Sequence, residues 1–489
     1  MAEPIPDVEE RARSTGLWLI AAVAIFLRTA EACESSLWLD ELHTLSHAAQ
    51  PTLSAVVQHV HDEFHTPLFF LFVHCFGGFE AGAWLRAIPI LSSVAMLWPL
   101  CAVARECGLG ARGTRWTAWL YACMPYQLLY GSELRPYAWI GIFSLFAFQL
   151  AFSERGKTPV RLALFFLAIL LGLLTHRLMA LGLLAIGCAR LCAKRERSVP
   201  LLGLVAAGAL AVAGFLPWLL GFAKTATQLR FDYQERVGGY HVSARLVNEL
   251  VSLPARLVTP YLRELGGAWG ILALVSAAAF AVLAVTFGVL ASRTRPRAAA
   301  SPVLRGLAIF ALAQFLVTTA FAVYTWDRVP LQYYTPMAWT IPLLLAWCIE
   351  RAGDRRWLSM ALAGVTLAMG VALVGGKSRE DMRGGIAAVR ELAASARAET
   401  SLEPLYSAVL AQPPQFSDTL PYRAYARDLA PLEPDRVPRA GEKDFERPLI
   451  VLCRNVGLKD EALSSITANR HLVRTLTVDR YLTAYRFDP

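Results

Sequence analysis

Charged side chains are scarce in this 489-residue sequence: Asp, Glu, Lys and Arg make up 17% of it, whereas 56% of the residues are hydrophobic. Soluble domains contain about a quarter charged residues, so the composition indicates a polytopic membrane protein. No two of the 9 cysteines form a CxxC pair, which argues against a thiolate metal site or a redox centre. There is also no Walker or GxGxxG motif, and no internal repeat. The sequence therefore gives no sign of a nucleotide-binding or metal-thiolate protein.

The net charge of +9 is distributed in short clusters between apolar stretches, which argues against nucleic acid as a partner. Eleven stretches approach the about 20 residues needed to cross a bilayer: 15–33, 85–104, 114–131, 136–152, 160–175, 177–192, 200–222, 267–291, 303–325, 331–349 and 356–375. With eleven spans, the Lys and Arg clusters near residues 105–115, 155–161, 190–197, 293–305 and 351–356 all fall on the side of the N-terminus. By the positive-inside rule that side is the cytoplasm. Arg28 and Glu31 argue against cleavage after the first stretch, so we expect it to be retained.

The first outer loop, residues 34–84, contains no Lys or Arg. Within it, the apolar run 67–79 is too short to span and suits an interfacial or re-entrant helix, and 51–61 has the spacing of a second surface helix. A long outer segment at 223–266 predicts a mobile loop followed by an amphipathic helix at 244–258.

From residue 376 onward the composition becomes that of a soluble domain. The patterns predict, in order, helix, strand, strand, helix and strand, at 381–398, 403–410, 447–453, 460–469 and 471–487. We therefore expect a transmembrane domain over 1–376 and a small α/β domain over 377–489, on the outer face because the number of spans is odd.

Asp40 and Glu41 are adjacent carboxylates at the start of the first outer loop. A solvated loop pair or a helix cap is the ordinary interpretation of such a pair. Their position at the membrane interface, in a loop without basic residues, would instead raise a carboxylate pKa towards the range of a general base. Asp40 is the predicted base, and Glu41 a supporting acidic residue.

A second candidate lies between two spans, where Glu133 and Arg135 precede Tyr137. The planar guanidinium of an Arg suits phosphate, and Glu133 would orient Arg135 or hold a metal. The alternative is an ion pair that only closes two helices.

Six of the 9 histidines fall between residues 43 and 74, but without an HExxH motif. A histidine metal site is thus a minor alternative, and His65 is the one predicted to contact a phosphate or an acceptor. Arg328 is the third candidate for the phosphate, with a helix cap as its alternative. Tyr137, His176 and Tyr333 are candidate substrate contacts, and His176 also suits a structural role.

Several short patterns together resemble a known family. They are Leu27-Arg28 at the end of the first span, Trp-x-Asp-Glu-x-x-Thr over 38–44, His-x-Pro-Leu-Phe-Phe over 65–70, Leu85-Arg86, and Ser-Glu-Leu-Arg-Pro-Tyr-Ala over 132–138. This combination looks like the C-fold polytopic glycosyltransferases related to protein O-mannosyltransferases and the lipid A aminoarabinose transferase. The sequence departs from the family pattern at Thr66 and at Gln332-Tyr333-Tyr334.

The resemblance implies transfer of a sugar from a polyprenyl-phosphate carrier to a lipid, glycan or protein acceptor on the outer face of the membrane. By similarity, Asp40 is the catalytic base and Glu133 the second acidic position. A divalent metal (Mg, Mn or Zn) would be held by Glu133 and Asp40. The composition points to a bacterial inner membrane, with the site and C-terminal domain in the periplasm. The rival interpretations are a transporter or lipid flippase, and a structural protein with a degenerate site.

Overall fold

The computed structural model describes most of the chain. The described residues are 8–62, 65–153, 157–193, 199–220, 244–260, 267–294, 301–325, 330–376, 381–409, 420–426, 428–429, 431, 437–438, 442, 444–454, 467, 470–478 and 482–489. Arg328, the predicted loop at 223–243 and nearly all of the predicted helix at 460–469 lie outside them.

The chain up to residue 376 is helical. Its α-helices are α1 (Val8–Glu34), α2 (Leu39–Ala48), α3 (Leu53–Asp62), α4 (Pro67–Cys75), α5 (Gly78–Ala81), α6 (Ala87–Ala95), α7 (Leu97–Glu106), α8 (Ala111–Cys123), α9 (Pro125–Ser132), α10 (Tyr137–Phe152), α11 (Thr158–Thr175), α12 (Met179–Cys192), α13 (Leu201–Gly214), α14 (Ala244–Val258), α15 (Gly267–Arg293), α16 (Pro302–Thr325), α17 (Thr335–Ala338), α18 (Thr340–Arg351) and α19 (Arg356–Gly375). Short 3₁₀ turns at Gly82–Arg86 and Leu331–Tyr334 precede α6 and α17.

Each of the eleven predicted spans contains helix among its described residues. Among the described residues, 6 segments are long and apolar enough to cross a membrane: Gly16–Glu34, Gly82–Glu106, Thr158–Thr175, Gly267–Arg293, Pro302–Val323 and Arg356–Gly375. The other predicted spans are shorter or divided, so eleven stays a prediction. The chain is a polytopic integral membrane protein.

The division between α8 and α9 has a clear physical cause. Pro125 lacks an N–H group, so it cannot donate to the carbonyl of Tyr121, four residues before it. Arg28 of α1 supplies the missing donors, because its Nη2 lies 3.3 Å from the Tyr121 carbonyl and its Nη1 lies 3.1 Å from that of Ala122. Its Nη2 also donates to the carbonyl of Gln127 at 3.2 Å. A buried cation of α1 thus joins the two halves of this broken span.

The loop helices follow the predictions. Helix α4 has 9 residues, too few to span a bilayer. Helix α3 corresponds to the predicted surface helix at 51–61 and has nearly the same bounds. Helix α14 has the predicted bounds and packs against α9 and the turn at Leu331–Tyr334.

The chain forms two compact units, the first comprising residues 1–31, 57–72 and 86–376, and the second residues 32–56, 73–85 and 377–489. The second unit contains α20 (Met382–Thr400), α21 (Leu420–Tyr425) and the strands β1 (Leu405–Val409), β2 (Leu449–Arg454), β3 (His471–Thr477) and β4 (Leu482–Asp488). Much of the first outer loop therefore belongs to the same unit as the C-terminal residues, which the sequence did not reveal.

The four strands form one sheet in the order β1-β2-β4-β3. Strands β1 and β2 are parallel, and β4 runs antiparallel to both β2 and β3. The single strand predicted at 471–487 is thus two strands, which pair with each other in antiparallel orientation. Helix α20 packs on β2 and β4, where the buried Arg486 bonds to Glu399 of the helix at 2.7 Å and to Asp488 of its own strand at 2.7 Å.

Candidate functional site

Asp40 and Glu41 lie in the first turn of α2, but only one of the two carboxylates serves as a cap. Glu41 is fully buried, and its Oε2 accepts a hydrogen bond from the backbone N–H of Trp38 at 3.2 Å. This is the reciprocal half of a capping box, which satisfies a donor at the start of the helix. Asp40 is half-buried, and its backbone carbonyl accepts from the Thr44 hydroxyl at 3.0 Å. The geometry therefore gives the two neighbouring acids different surroundings.

The segment before α2 is held by residues from the far end of the chain. The backbone N–H of Leu37 donates to the Tyr425 hydroxyl at 2.7 Å. The Ser36 hydroxyl accepts from the N–H of Met382, the first residue of α20, at 2.9 Å. These contacts, within the second unit, fix the backbone that leads into Asp40.

The histidines of this unit take part in packing. His43 and His47 stack with ring centroids 6.0 Å apart, and His74 Nδ1 lies 2.8 Å from the carbonyl of Ala48. Among the described residues, no group of three or more His, Cys, Asp or Glu side chains is placed to hold a metal ion. We therefore derive no step through a metal.

The second candidate is the corner at residues 133–136, between α9 and α10 in the first unit. Glu133 and Arg135 are 2% and 7% exposed, and the backbone N–H of Arg135 donates to the carbonyl of Glu133 at 2.7 Å. Two opposite charges are thus buried on one tight turn. Removing a charged group from water costs free energy, so a buried charged group is usually functional or closely paired with an opposite charge.

Aromatic rings surround this corner. The guanidinium of Arg135 lies 5.9 Å from the centre of the Tyr137 ring. The centres of the Tyr130 and His176 rings lie 5.3 and 6.2 Å from the centre of that same Tyr137 ring. Tyr126 continues this series, with its ring 4.6 Å from that of Tyr130. The structure thus brings together three predicted site residues: Arg135, Tyr137 and His176.

The hydroxyl of Tyr126 connects this cluster to the 3₁₀ turn of Tyr333. It donates to the carbonyl of Leu331 at 2.8 Å. Tyr333 itself is 9% exposed, and its ring lies 6.1 Å from that of Phe321. The turn is therefore attached to the same helix, α9, that ends at the corner.

His176 is an uncharged hydrogen-bond donor. Desolvation lowers the pKa of His176 well below the usual imidazole value, and the cations of Arg177 and Arg135 lower it further. Its Nδ1 accepts a hydrogen bond from the backbone N–H of Leu178 at 3.2 Å, so the ring proton resides on Nε2. An N–H donor beside a buried guanidinium suits an anionic or hydroxyl-rich ligand.

His65 lies just before α4, where its backbone N–H donates to the carbonyl of Val60 at 2.9 Å and its ring lies 5.5 Å from Phe70. Helix α4 packs on the first turn of α10, because Phe69 and Phe72 contact the ring of Trp139 at 5.4 and 4.9 Å. The role of His65 at the phosphate stays a prediction.

A cavity of about 470 Å³ lies elsewhere in the first unit, beside Glu106 and Arg161. It is near the last turn of α10 and the first turn of α11, away from the corner. It shares no lining residue with the corner. The candidate site is therefore defined by its charges and rings and not by this cavity.

Gly131 lets α1 approach the corner closely. A Cβ atom on Gly131 would lie 2.4 Å from Ser93 Oγ and 2.8 Å from Arg28 Nε. We expect Gly131→Ala to lower the thermal unfolding temperature of the purified protein, because overpacking costs about 1–3 kcal/mol. Gly187→Ala in α12 is the matched control, since its Cβ would meet no described atom within 4 Å. Equal unfolding temperatures for the two variants would contradict the close packing inferred here.

Two crystal structures of ArnT from Cupriavidus metallidurans are similar to this chain. The apo structure aligns with a TM-score of 0.58 and 14% identity, over 97% of this chain and 98% of that chain. The structure bound to undecaprenyl phosphate aligns with a TM-score of 0.56 and 14% identity, over 96% and 97%. No protein-family model and no curated protein sequence matches the chain. The chain therefore has the fold of ArnT, which confirms the fold predicted from its short motifs.

Proposed function

We propose that this protein transfers a sugar from a polyprenyl-phosphate donor to a hydroxyl of a lipid, glycan or protein acceptor. The observation that carries the proposal is the similarity, over nearly the whole of both chains, to ArnT bound to undecaprenyl phosphate. The buried Arg135 beside Tyr137 and an uncharged His176 supports it, because these groups suit a phosphate and a sugar.

The chemistry needs one base and a set of cations. Asp40 takes the proton of the acceptor hydroxyl as its oxygen attacks the anomeric carbon, and the bond from that carbon to the phosphate oxygen breaks. Attack from the face opposite the phosphate inverts the anomeric centre. The released polyprenyl phosphate is a stable anion, so no acid is required to protonate it, in contrast to glycosidases with their two carboxylates.

Arg135 is assigned to the donor phosphate, together with His65 and Arg328. Positive charge beside the donor phosphate stabilises the negative charge that develops there as the bond to the sugar breaks. Glu133 orients Arg135, Glu41 holds the start of α2, and Tyr137, His176 and Tyr333 contact the substrates. The reaction takes place on the outer face of the membrane, in the periplasm of a bacterial cell, where the prenyl tail stays in the bilayer.

The proposal is tested with purified protein in lipid nanodiscs and radiolabelled polyprenyl-phosphate pentoses and hexoses. We expect release of polyprenyl phosphate together with labelling of an acceptor from an envelope extract. If proteoliposomes accumulate the labelled donor without forming any glycosylated product, the protein is a transporter or flippase and the proposal is wrong.

A further inference from the structure

Glu31 is a buried carboxylate in the last turn of α1, with 6% of its surface exposed. An ionisable group in such a position is unfavourable unless hydrogen bonds replace the lost water. None of the sequence motifs includes Glu31, and neither the proposed base nor the proposed phosphate contacts use it.

The partner of Glu31 is Ser132, the last residue of α9. The hydroxyl of Ser132 is hydrogen-bonded to Oε2 of Glu31, and it also lies 3.0 Å from the carbonyl of Leu129. A hydroxyl has one proton to donate. The bond from that hydroxyl to Oε2 of Glu31 connects the last residue of α9 to α1.

Arg28 and Glu31 both form hydrogen bonds with α9. They are three positions apart in α1 and therefore on the same face of that helix. Arg28 donates to the carbonyl of Gln127 and lies close to Gly131, while Glu31 bonds to Ser132. Two side chains of a single helix thus bond to α9, Arg28 near its first turn and Glu31 at its last residue.

The backbone direction at Ser132 determines where the next residues point. Glu133 is extended, with φ −70° and ψ 138°, and the turn closes at once through the bond from the Arg135 N–H to the Glu133 carbonyl. Such a short turn transmits any rotation at Ser132 directly to Glu133 and Arg135.

We infer that Glu31 is a positioning residue, which holds Ser132 and so fixes Glu133 and Arg135 in the orientation that binds a lipid-linked phosphate. The inference rests on the proposed function for the identity of the ligand. Hydrogen bonding, and not charge, is the property of Glu31 that this role requires. Misplacing a binding group by about 1 Å can cost on the order of a hundredfold.

The test measures binding of undecaprenyl phosphate to the full-length protein in nanodiscs, by titration of intrinsic fluorescence, beside the unfolding temperature. We expect Glu31→Ala and Ser132→Ala each to weaken binding about tenfold or more, and the double variant to lose no more than one single variant, because they remove the same contact. Glu31→Gln keeps a hydrogen-bonding side chain and should bind nearly as well as the unaltered protein. Glu34→Ala is the matched control, since Glu34 is an exposed acid of the same helix.

Three results would overturn the inference: normal binding by Glu31→Ala, additive losses in the double variant, or a Glu31→Gln variant as weak as Glu31→Ala. If Glu31→Ala unfolds at a lower temperature than Glu31→Gln, the substitution has caused a general loss of packing. That result also counts against a positioning role. If binding follows the expected pattern but no donor sugar is transferred, the proposed function fails while the inference holds.

Discussion

Asp40→Asn is expected to abolish sugar transfer, with a loss of about 10²- to 10⁴-fold, the range contributed by a general base. The amide has nearly the same size and shape as the carboxylate but accepts no proton at neutral pH. The hydrogen bond that caps α2 is made by Glu41 and is kept in this variant. Binding of undecaprenyl phosphate and the yield of membrane protein should therefore be unchanged.

The neighbouring Glu41→Gln variant is the control for this experiment. Its amide oxygen still accepts from the N–H of Trp38, so most of the transfer rate should remain, with a loss of stability of about 1 kcal/mol or less. Both variants are measured by release of labelled polyprenyl phosphate and by thermal unfolding. Full activity of Asp40→Asn would exclude Asp40 as the base. An equal loss in both variants would assign a catalytic role to Glu41 as well.

Arg135→Gln should weaken binding of undecaprenyl phosphate about ten- to a hundredfold, because a hydrogen bond to a charged group contributes about 1.5–3 kcal/mol. The guanidinium is 7% exposed, so little water screens its charge. Arg135→Lys keeps the charge but loses the planar pair of donors, and we expect intermediate affinity.

Arg177→Gln is the matched control for Arg135, because Arg177 is exposed to solvent next to His176. Removing it changes the net charge by the same amount but should change the affinity far less. Titration of each variant with undecaprenyl phosphate at low and high salt separates the two cases. If Arg177→Gln loses as much affinity as Arg135→Gln, the binding is due to the general positive charge of this face and not to Arg135.

Helix positions in the first 376 residues could be predicted because hydrophobicity alone sets the length of a membrane span. The positions at which a span is broken were harder to predict from the sequence. Pro125 is visible in the sequence, but its effect depends on Arg28, which lies almost one hundred residues earlier and supplies the donors at the break. A hydropathy pattern carries no information about such distant partners.

The candidate site shows the same difference between local and distant information. The motif over 132–138 predicted the corner with Arg135 and Tyr137, since these residues are neighbours in the chain. The approach of His176 to Tyr137 depends on how α10 and α11 pack, and only the structure provides it. The sequence did not predict that Glu41 caps α2, because which of two adjacent acids caps a helix depends on backbone geometry.

The hydrogen bonds that hold Leu37 and Ser36 have a consequence for biosynthesis. Their partners, Tyr425 and Met382, lie 388 and 346 residues further along the chain. At a translation rate of about 5–20 residues per second, the ribosome needs roughly 20–80 s to reach Tyr425 after it has made Leu37. For that period the segment before Asp40 lacks these partners, although the first membrane span has already been made. The proposed base thus acquires its supports among the last events of synthesis, and we expect an unfinished chain to be inactive even when every membrane helix is in place.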